Sequence, residues 1–248
     1  MENLTPTGQA YTEFQDAYDF YNLHLFDGQL PGCLFTMQRK ARTYGYFSSN
    51  RFVNREGVQA DEIALNPEIF AIVPLVEILQ TMVHEMAHQW QQRYGTPGRR
   101  RYHNKEWGDK MESIGLMPSN TGKEGGRKTG EQMMDYPIAG GPFERVTTKL
   151  LASSFGITWL DRFPARRIVS MGVQAGQACI GEPELEAEGA EEAWSNPLFQ
   201  LEVREQDKSN RWKYSCAKCG SNVWGKPKLN IKCGDCLSDF LPDSADKI

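Results

Sequence analysis

The sequence holds no run of 18 apolar residues, so no membrane span and no membrane partner are expected. Its first stretch, MENLTPTGQAYTEF, lacks a basic segment followed by an apolar one, which argues against a secretory leader. Basic residues are not in excess. A formal net charge of −4 over 248 residues excludes a chain that binds nucleic acid through overall basicity. Cysteine is scarce, and four of the six fall in two Cys-x-x-Cys pairs, a usage that points to metal rather than disulfides and to a reducing, cytoplasmic setting. Hydrophobic residues make up 40%, enough for a real core, and the length suits one medium domain with a small module.

Histidine is scarcer still, at four residues, and three of them lie between Thr81 and Trp107. His84, Glu85 and His88 are spaced HExxH, and His103 follows fifteen residues after His88. On a helix, positions i and i+4 lie one above the other, so His84 and His88 can reach one metal ion. Glu85 is turned about 100° away and flanks that ion as a general base. The helix itself is expected from Val76, Leu79, Val83, Met86, Ala87 and Trp90, which recur at spacings of three and four. Pro74 can open it, and Gly95 and Pro97 close it. A catalytic zinc takes three protein ligands and keeps one position for water. His103 is the candidate third ligand, carried back by a loop with Gly95, Pro97 and Gly98 and opening a second helical run through Trp107, Met111 and Ile114. Glu106 or Glu112 in its place is the rival ligand set.

HEMAH, a loop of about fifteen residues and then HNKEW resemble the SprT-like metalloprotease family. The upstream stretch Tyr44 to Phe70 is also similar, with a Gly-Tyr turn and a strand ending in Leu65-Asn66-Pro67. The resemblance spans about residues 10 to 118. It implies a zincin-like fold, a helix-borne zinc and proteolysis of DNA-bound or DNA-crosslinked proteins.

Before the histidines, Tyr11, Phe14, Tyr18, Tyr21, Leu25 and Phe26 predict a helix over residues 9 to 26. His24 on it reads as a partly buried structural residue. Short strands are expected at Leu34–Met37, Tyr44–Phe47 and Glu62–Leu65, with polar Ser48 to Gly57 as a turn. An open sheet edge there would pair with an extended substrate backbone. Cys33 and Cys179 read as small buried hydrophobes. Tyr44, Tyr46 and Tyr102 are candidate oxyanion donors.

After the second helical run, Gly115 to Pro142 is rich in Gly, Lys, Thr and Glu without periodicity and reads as a linker or mobile loop. A short helix is expected from Phe143 to Phe155 and a strand at Ile157–Leu160. Residues 182 to 192 are acidic and read as a solvated stretch.

Cys216 and Cys219, then thirteen residues, then Cys233 and Cys236 give the spacing of a four-cysteine zinc ribbon. Gly220 and Gly234 suit its tight knuckles. About forty residues bury little core, so the metal would supply the folding energy. From Lys208 to Lys232 there are seven cations (Lys208, Arg211, Lys213, Lys218, Lys226, Lys228 and Lys232), no acidic residue, and Trp212, Tyr214 and Trp224 between them. Cations for phosphates and aromatic faces for unpaired bases predict a surface for DNA, single strands favoured. Arg99, Arg100 and Arg101 form a second basic run before His103.

The expectation is an α+β chain. A zincin-like metallopeptidase domain with a small antiparallel sheet occupies residues 1 to 118, a middle segment 119 to 206, and the ribbon 207 to 248. One catalytic and one structural Zn2+ are expected, with protein substrates. The rival from another class is a non-catalytic zinc-containing DNA-binding or regulatory protein, which would have no need of Glu85.

Overall fold

The computed structural model describes residues 5–41, 43–99, 102–162 and 212–242. The chain divides into two compact units, Met1–Val203 and Arg204–Ile248. Cys179, the acidic stretch 182–192, Arg100, Arg101 and Arg211 lie outside the described residues.

In the first unit, α1 runs from Pro6 to Leu25. It starts three residues earlier than its apolar pattern, because the Thr5 side chain caps the Gly8 N–H and Pro6 takes a first-turn position that needs no N–H donor. Ala10, Phe14, Ala17, Tyr18, Tyr21 and Leu25 form its buried face. His24 is exposed rather than partly buried, with its ring 4.5 Å from Phe20. Asp27 and Gly28 then turn the chain in the left-handed region.

The sheet has three strands in the order β1–β3–β2: β1 Cys33–Met37, β2 Gly45–Val53, β3 Gln59–Leu65. It is mixed, not antiparallel as expected, because β1 runs parallel to β3. Central β3 is buried from Asp61 to Leu65. β2 continues through the polar stretch expected as a turn. Its residues are half-buried from Gly45 to Ser49 and exposed from Asn50 to Val53, so the far half of this strand needs no apolar face. The register shifts between Ser48 and Phe52, where Asn50 adopts a left-handed φ and its N–H donates to Asp61. The true turn is Asn54–Val58, and the Asn54 side chain accepts from the N–H groups of Glu56 and Val58. After β3, Asn66 donates to the carbonyls of Lys40 and Thr43 and caps the 3-10 turn Pro67–Ile69.

α2 spans Leu75–Tyr94, preceded by Pro74, and packs against β2, β3 and α3. α3, Lys105–Ser113, begins after Asn104, whose side chain caps the Trp107 N–H. The segment expected as a linker is ordered. β4 Leu116–Ser119 pairs antiparallel with β5 Met134–Pro137. Between them Asn120 and Arg127 bond to each other through backbone and side chain, so local polar bonds replace the missing apolar pattern. α4, Pro142–Ala152, adds Phe143, Val146 and Leu150 to the same core as α1 and α2, beyond the boundary expected at residue 118. Phe143 stacks on Tyr21. Ile157–Leu160 forms no strand. Thr158 and Trp159 instead donate to Glu13 and Gln9 of α1.

The second unit is a three-stranded antiparallel sheet, β7–β6–β8, with β6 Trp212–Cys216, β7 Asn222–Gly225 and β8 Phe240–Pro242. Its two cysteine knuckles share one bonding pattern. Cys216 N–H donates to Ser221 and Gly220 N–H to Cys216; Cys233 N–H donates to Ser238 and Leu237 N–H to Cys233. The fifth position of each is left-handed: Gly220 at φ 73° and Leu237 at φ 54°. Gly234, expected to meet that need, does not. The left-handed region costs a residue with a Cβ roughly 1 kcal/mol. Glycine's extra freedom in the unfolded chain returns part of that. Gly220→Ala is therefore expected to hasten chelator-driven zinc release from the ribbon, and Leu237→Gly to slow it. Release rates equal to wild type in both variants would show that these positions are not held as described.

Candidate metal centres

α2 places His84 and His88 one turn apart, with ring centroids 5.1 Å from each other. His103 reaches them from the loop after α2. A backbone bridge in both directions, His103 N–H to Gly130 O and Gly130 N–H to His103 O, sets its position. Metal-ligating atoms of the three histidines all lie within 4.8 Å of one another. His88 Nε2 and His103 Nε2 are 3.1 Å apart. Two nitrogens on a tetrahedral zinc, each 2.0–2.1 Å from it, would be about 3.3 Å apart, so the pair fits one ion.

Trp107, fully buried on the first turn of α3, walls this group with ring centroids 4.9, 5.2 and 4.4 Å from His84, His88 and His103. Burial, then the neighbouring His84 and His103, holds His88 well below the usual imidazole range. Burial and His84 bring His103 down to about 4, against the Gly130 carbonyl. Neutral rings keep the lone pairs that a metal needs. His84 behaves oppositely: burial lowers it, but its hydrogen bond to the Asp135 carboxylate and the charges of Glu85 and Asp135 prevail and raise it. His84 Nδ1 lies 2.7 Å from Asp135 Oδ2, and His103 Nδ1 lies 3.0 Å from Gly130 O. In both rings Nδ1 is engaged and Nε2 is left for a ligand. Asp135 and Gly130 escaped the sequence reading, since no spacing rule links position 135 to position 84. Trp107 was legible as the aromatic that ends HNKEW and as part of a helical run, but not as the wall against the three histidines.

Glu85 is the buried acid beside His84. Burial pushes its carboxyl up to about 7, opposed by His84 and by the Phe47 backbone N–H, which donates to it. Phe47 belongs to β2. The Asn66 N–H bond to Tyr44 O fixes the alternation, so the N–H groups of Gly45 and Phe47 face away from β3. The free edge of β2 therefore runs past Glu85. Gly45 allows this approach, since a Cβ there would lie 2.8 Å from Thr81 Cγ2 and 2.9 Å from the Ala64 carbonyl.

The rival ligands are occupied elsewhere. Glu106 Oε2 accepts from Gln91 and from the Thr96 N–H, holding the loop after α2. Glu112 pairs with Lys128 at 2.9 Å. Tyr46 lies under Lys40 and Tyr102 under Arg99. Tyr44 is half-buried against the core. Arg99 also pairs with Glu131 at 3.2 Å, so it is not a free cation. Cys33 packs half-buried against the core, and burial pushes its thiol up to about 12.

In the second unit the sulfur atoms of Cys216, Cys219, Cys233 and Cys236 lie within 4.8 Å of one another. Cys219 and Cys233 are 3.7 Å apart, too far for a disulfide and close to the spacing of about 3.8 Å for two thiolates on a tetrahedral zinc. Hydrogen bonding to Ser221 pulls the Cys219 thiol down to about 6. Tyr214 is buried, its hydroxyl donating to the Lys226 carbonyl, so it offers no stacking face. Trp212 is half-buried against the same cluster. Lys213 sits opposite Trp224 in the β6–β7 pair, and Trp224, Lys226 and Lys228 are exposed. Lys232 lies 3.5 Å from Asp239. Among the described residues, no helix is long and apolar enough to cross a membrane.

Both side-chain groups thus fit zinc, one through three imidazoles and one through four thiolates. Comparison with known proteins bears on the first. A protein of Salmonella typhimurium, described as an uncharacterized protein in the mucB 3' region, is 58% identical over 59 residues, which cover 23% of this chain and 80% of that protein. No solved structure matches the chain. The model of the SprT-like family matches residues 14–124, the stretch that carries the second half of α1, the mixed sheet and all three clustered histidines. With that match, the helix-borne histidine group and the mixed α/β architecture, the chain belongs to the SprT-like family, which is associated with zinc metallopeptidases.

Proposed function

We propose that the chain is a zinc-dependent endopeptidase that acts on DNA-associated or DNA-crosslinked proteins in the cytoplasm. The observation that carries the peptidase reading is the convergence of three imidazoles beside the buried Glu85. His84, His88 and His103 would hold the catalytic ion. Bound there, zinc would polarise the scissile carbonyl and make water a nucleophile near neutral pH. The chain's own groups do the rest. Glu85 accepts the proton of the attacking water and returns it to the leaving amine. Its burial and the Phe47 N–H fix the carboxylate in place. The free edge of β2 would hold an extended peptide by backbone hydrogen bonds, which favours loosely folded protein substrates of varied sequence.

The ribbon supports the nucleic-acid part of the reading. Between residues 212 and 242, five lysines stand against Asp235, Asp239 and the residual negative charge of a zinc held by four thiolates. Net charge nearly cancels, so stacking on Trp224 would carry the preference for single strands. Lys213, Lys226 and Lys228 would then meet phosphates. Arg100, Arg101 and Arg211 remain further candidates of this kind.

Two zinc ions per chain are expected by elemental analysis, and His103→Ala should lose one and keep the other. One zinc in the wild type, or none lost in the variant, would remove the ligand assignment.

Glu85→Gln should keep both ions and lose roughly 10²–10⁴-fold in peptidase rate on a substrate that the wild type cuts. A loss below tenfold would show that Glu85 is not the general base.

Trp224→Ala should weaken binding to a single-stranded oligonucleotide by about 1–3 kcal/mol without altering its salt dependence. Joint replacement of Lys226 and Lys228 by Ala should instead flatten that salt dependence. Unchanged affinity in both variants, with the ribbon zinc retained, would end the nucleic-acid reading.

A further inference from the structure

The β4–β5 arm raises a question that the helix-borne motif does not answer. Two of the three clustered histidines are oriented by it. Asp135 on β5 is almost fully buried, its side chain 6% exposed. Its Oδ2 meets His84 Nδ1 at 2.7 Å, and its Oδ1 accepts from Gln80 Nε2 at 2.7 Å. Gln80 also donates to the Asp135 backbone carbonyl at 2.9 Å. Gln80 lies one helical turn before His84, so α2 itself clamps the acid that orients its histidine. On the arm's approach, Gly130 O accepts from both the backbone N–H and Nδ1 of His103. Gly130 holds φ 149°, where a side chain is disfavoured although a Cβ would meet only Met133 Sδ, at 3.7 Å. The segment carrying both groups begins where the family match ends, at residue 124.

We propose that residues 126–137 are an integral half of the metal site, with Asp135 and Gly130 as positioning residues for His84 and His103. This rests on the reading that these histidines bind zinc. A proton kept on Nδ1 leaves Nε2 as the free donor, and the Asp135 carboxylate makes the His84 ring a stronger base. Gly130 does the first without adding charge, so the two histidines are oriented alike but strengthened unequally. A chain cut at residue 124 would keep His84, Glu85, His88 and His103 and still hold the ion poorly. The rival is a purely structural tie between β5 and α2.

The test uses the full-length chain with Asp135→Ala and Asp135→Asn. Three quantities are read: zinc affinity of the site that His103→Ala abolishes, by competition with a chromophoric chelator; the visible spectrum after cobalt substitution there; and the unfolding temperature without metal at that site. Asp135→Ala should bind zinc about 10–100-fold more weakly and shift the cobalt bands. Asp135→Asn keeps an acceptor oxygen without the charge and should fall between alanine and wild type. Should the alanine variant fail to fold, the asparagine variant decides. Folded variants that bind zinc within threefold of wild type, with only the unfolding temperature lowered, would overturn the proposal and leave the peptidase reading intact. A wild type lacking the histidine-site zinc would overturn both.

Discussion

Three imidazoles must be held within a few ångströms of one another and largely out of water, and the first unit is arranged around that requirement. Each ring loses hydration on burial, and each nitrogen without a partner would be costly. Trp107 supplies a wall that shuts out solvent, while Asp135 and Gly130 engage Nδ1 on two rings. The loop that returns His103 is fixed at its base by Gln91, which donates to Asn104 and Glu106, and by the Asn104 cap on α3. The bonds from Gln80, Gln91 and Asn104 are thus parts of one support.

Glu85 occupies the same dry region under the opposite constraint. Burial favours its protonated form, whereas a general base must be ionised to act. The Phe47 N–H and the charge on His84 work toward the carboxylate, and a divalent cation beside it would push further in that direction. The position of β2 therefore matters chemically as well as sterically. Gly45 lets the strand lie close on α2, and that contact brings a backbone donor to the acid and an open edge to the cleft.

The second unit meets the problem of small size. Among the described residues, only Tyr214, Cys216, Cys233 and Phe240 make up its buried cluster, two of them metal-type ligands. So few apolar groups cannot offset the chain entropy of ordering the ribbon, so four thiolates on one ion would close it. Trp224 is left exposed on this small sheet.

Patterns local in sequence were readable at once. HExxH needs only the helical repeat to bring His84 and His88 together, and Cys-x-x-Cys needs only a knuckle, so the histidine and thiol groups and the helices α1, α2 and α4 were legible. The limits of that reading have physical causes. Polar Ser48 to Val53 looked like a turn because an edge strand needs no apolar face, and β1 runs parallel to β3 because of a pairing that local sequence does not encode. The arm from Gly115 to Pro142 looked like a linker because its order comes from side-chain bonds to backbone and from contacts far along the chain. Asp135 meets His84 across 51 positions, through a bond that exists only once β5 lies against α2. Sequence by itself determined which residues could bind metal. Tertiary structure decided which of their nitrogens are free to do so, because a tautomer is set by whatever touches the far side of the ring.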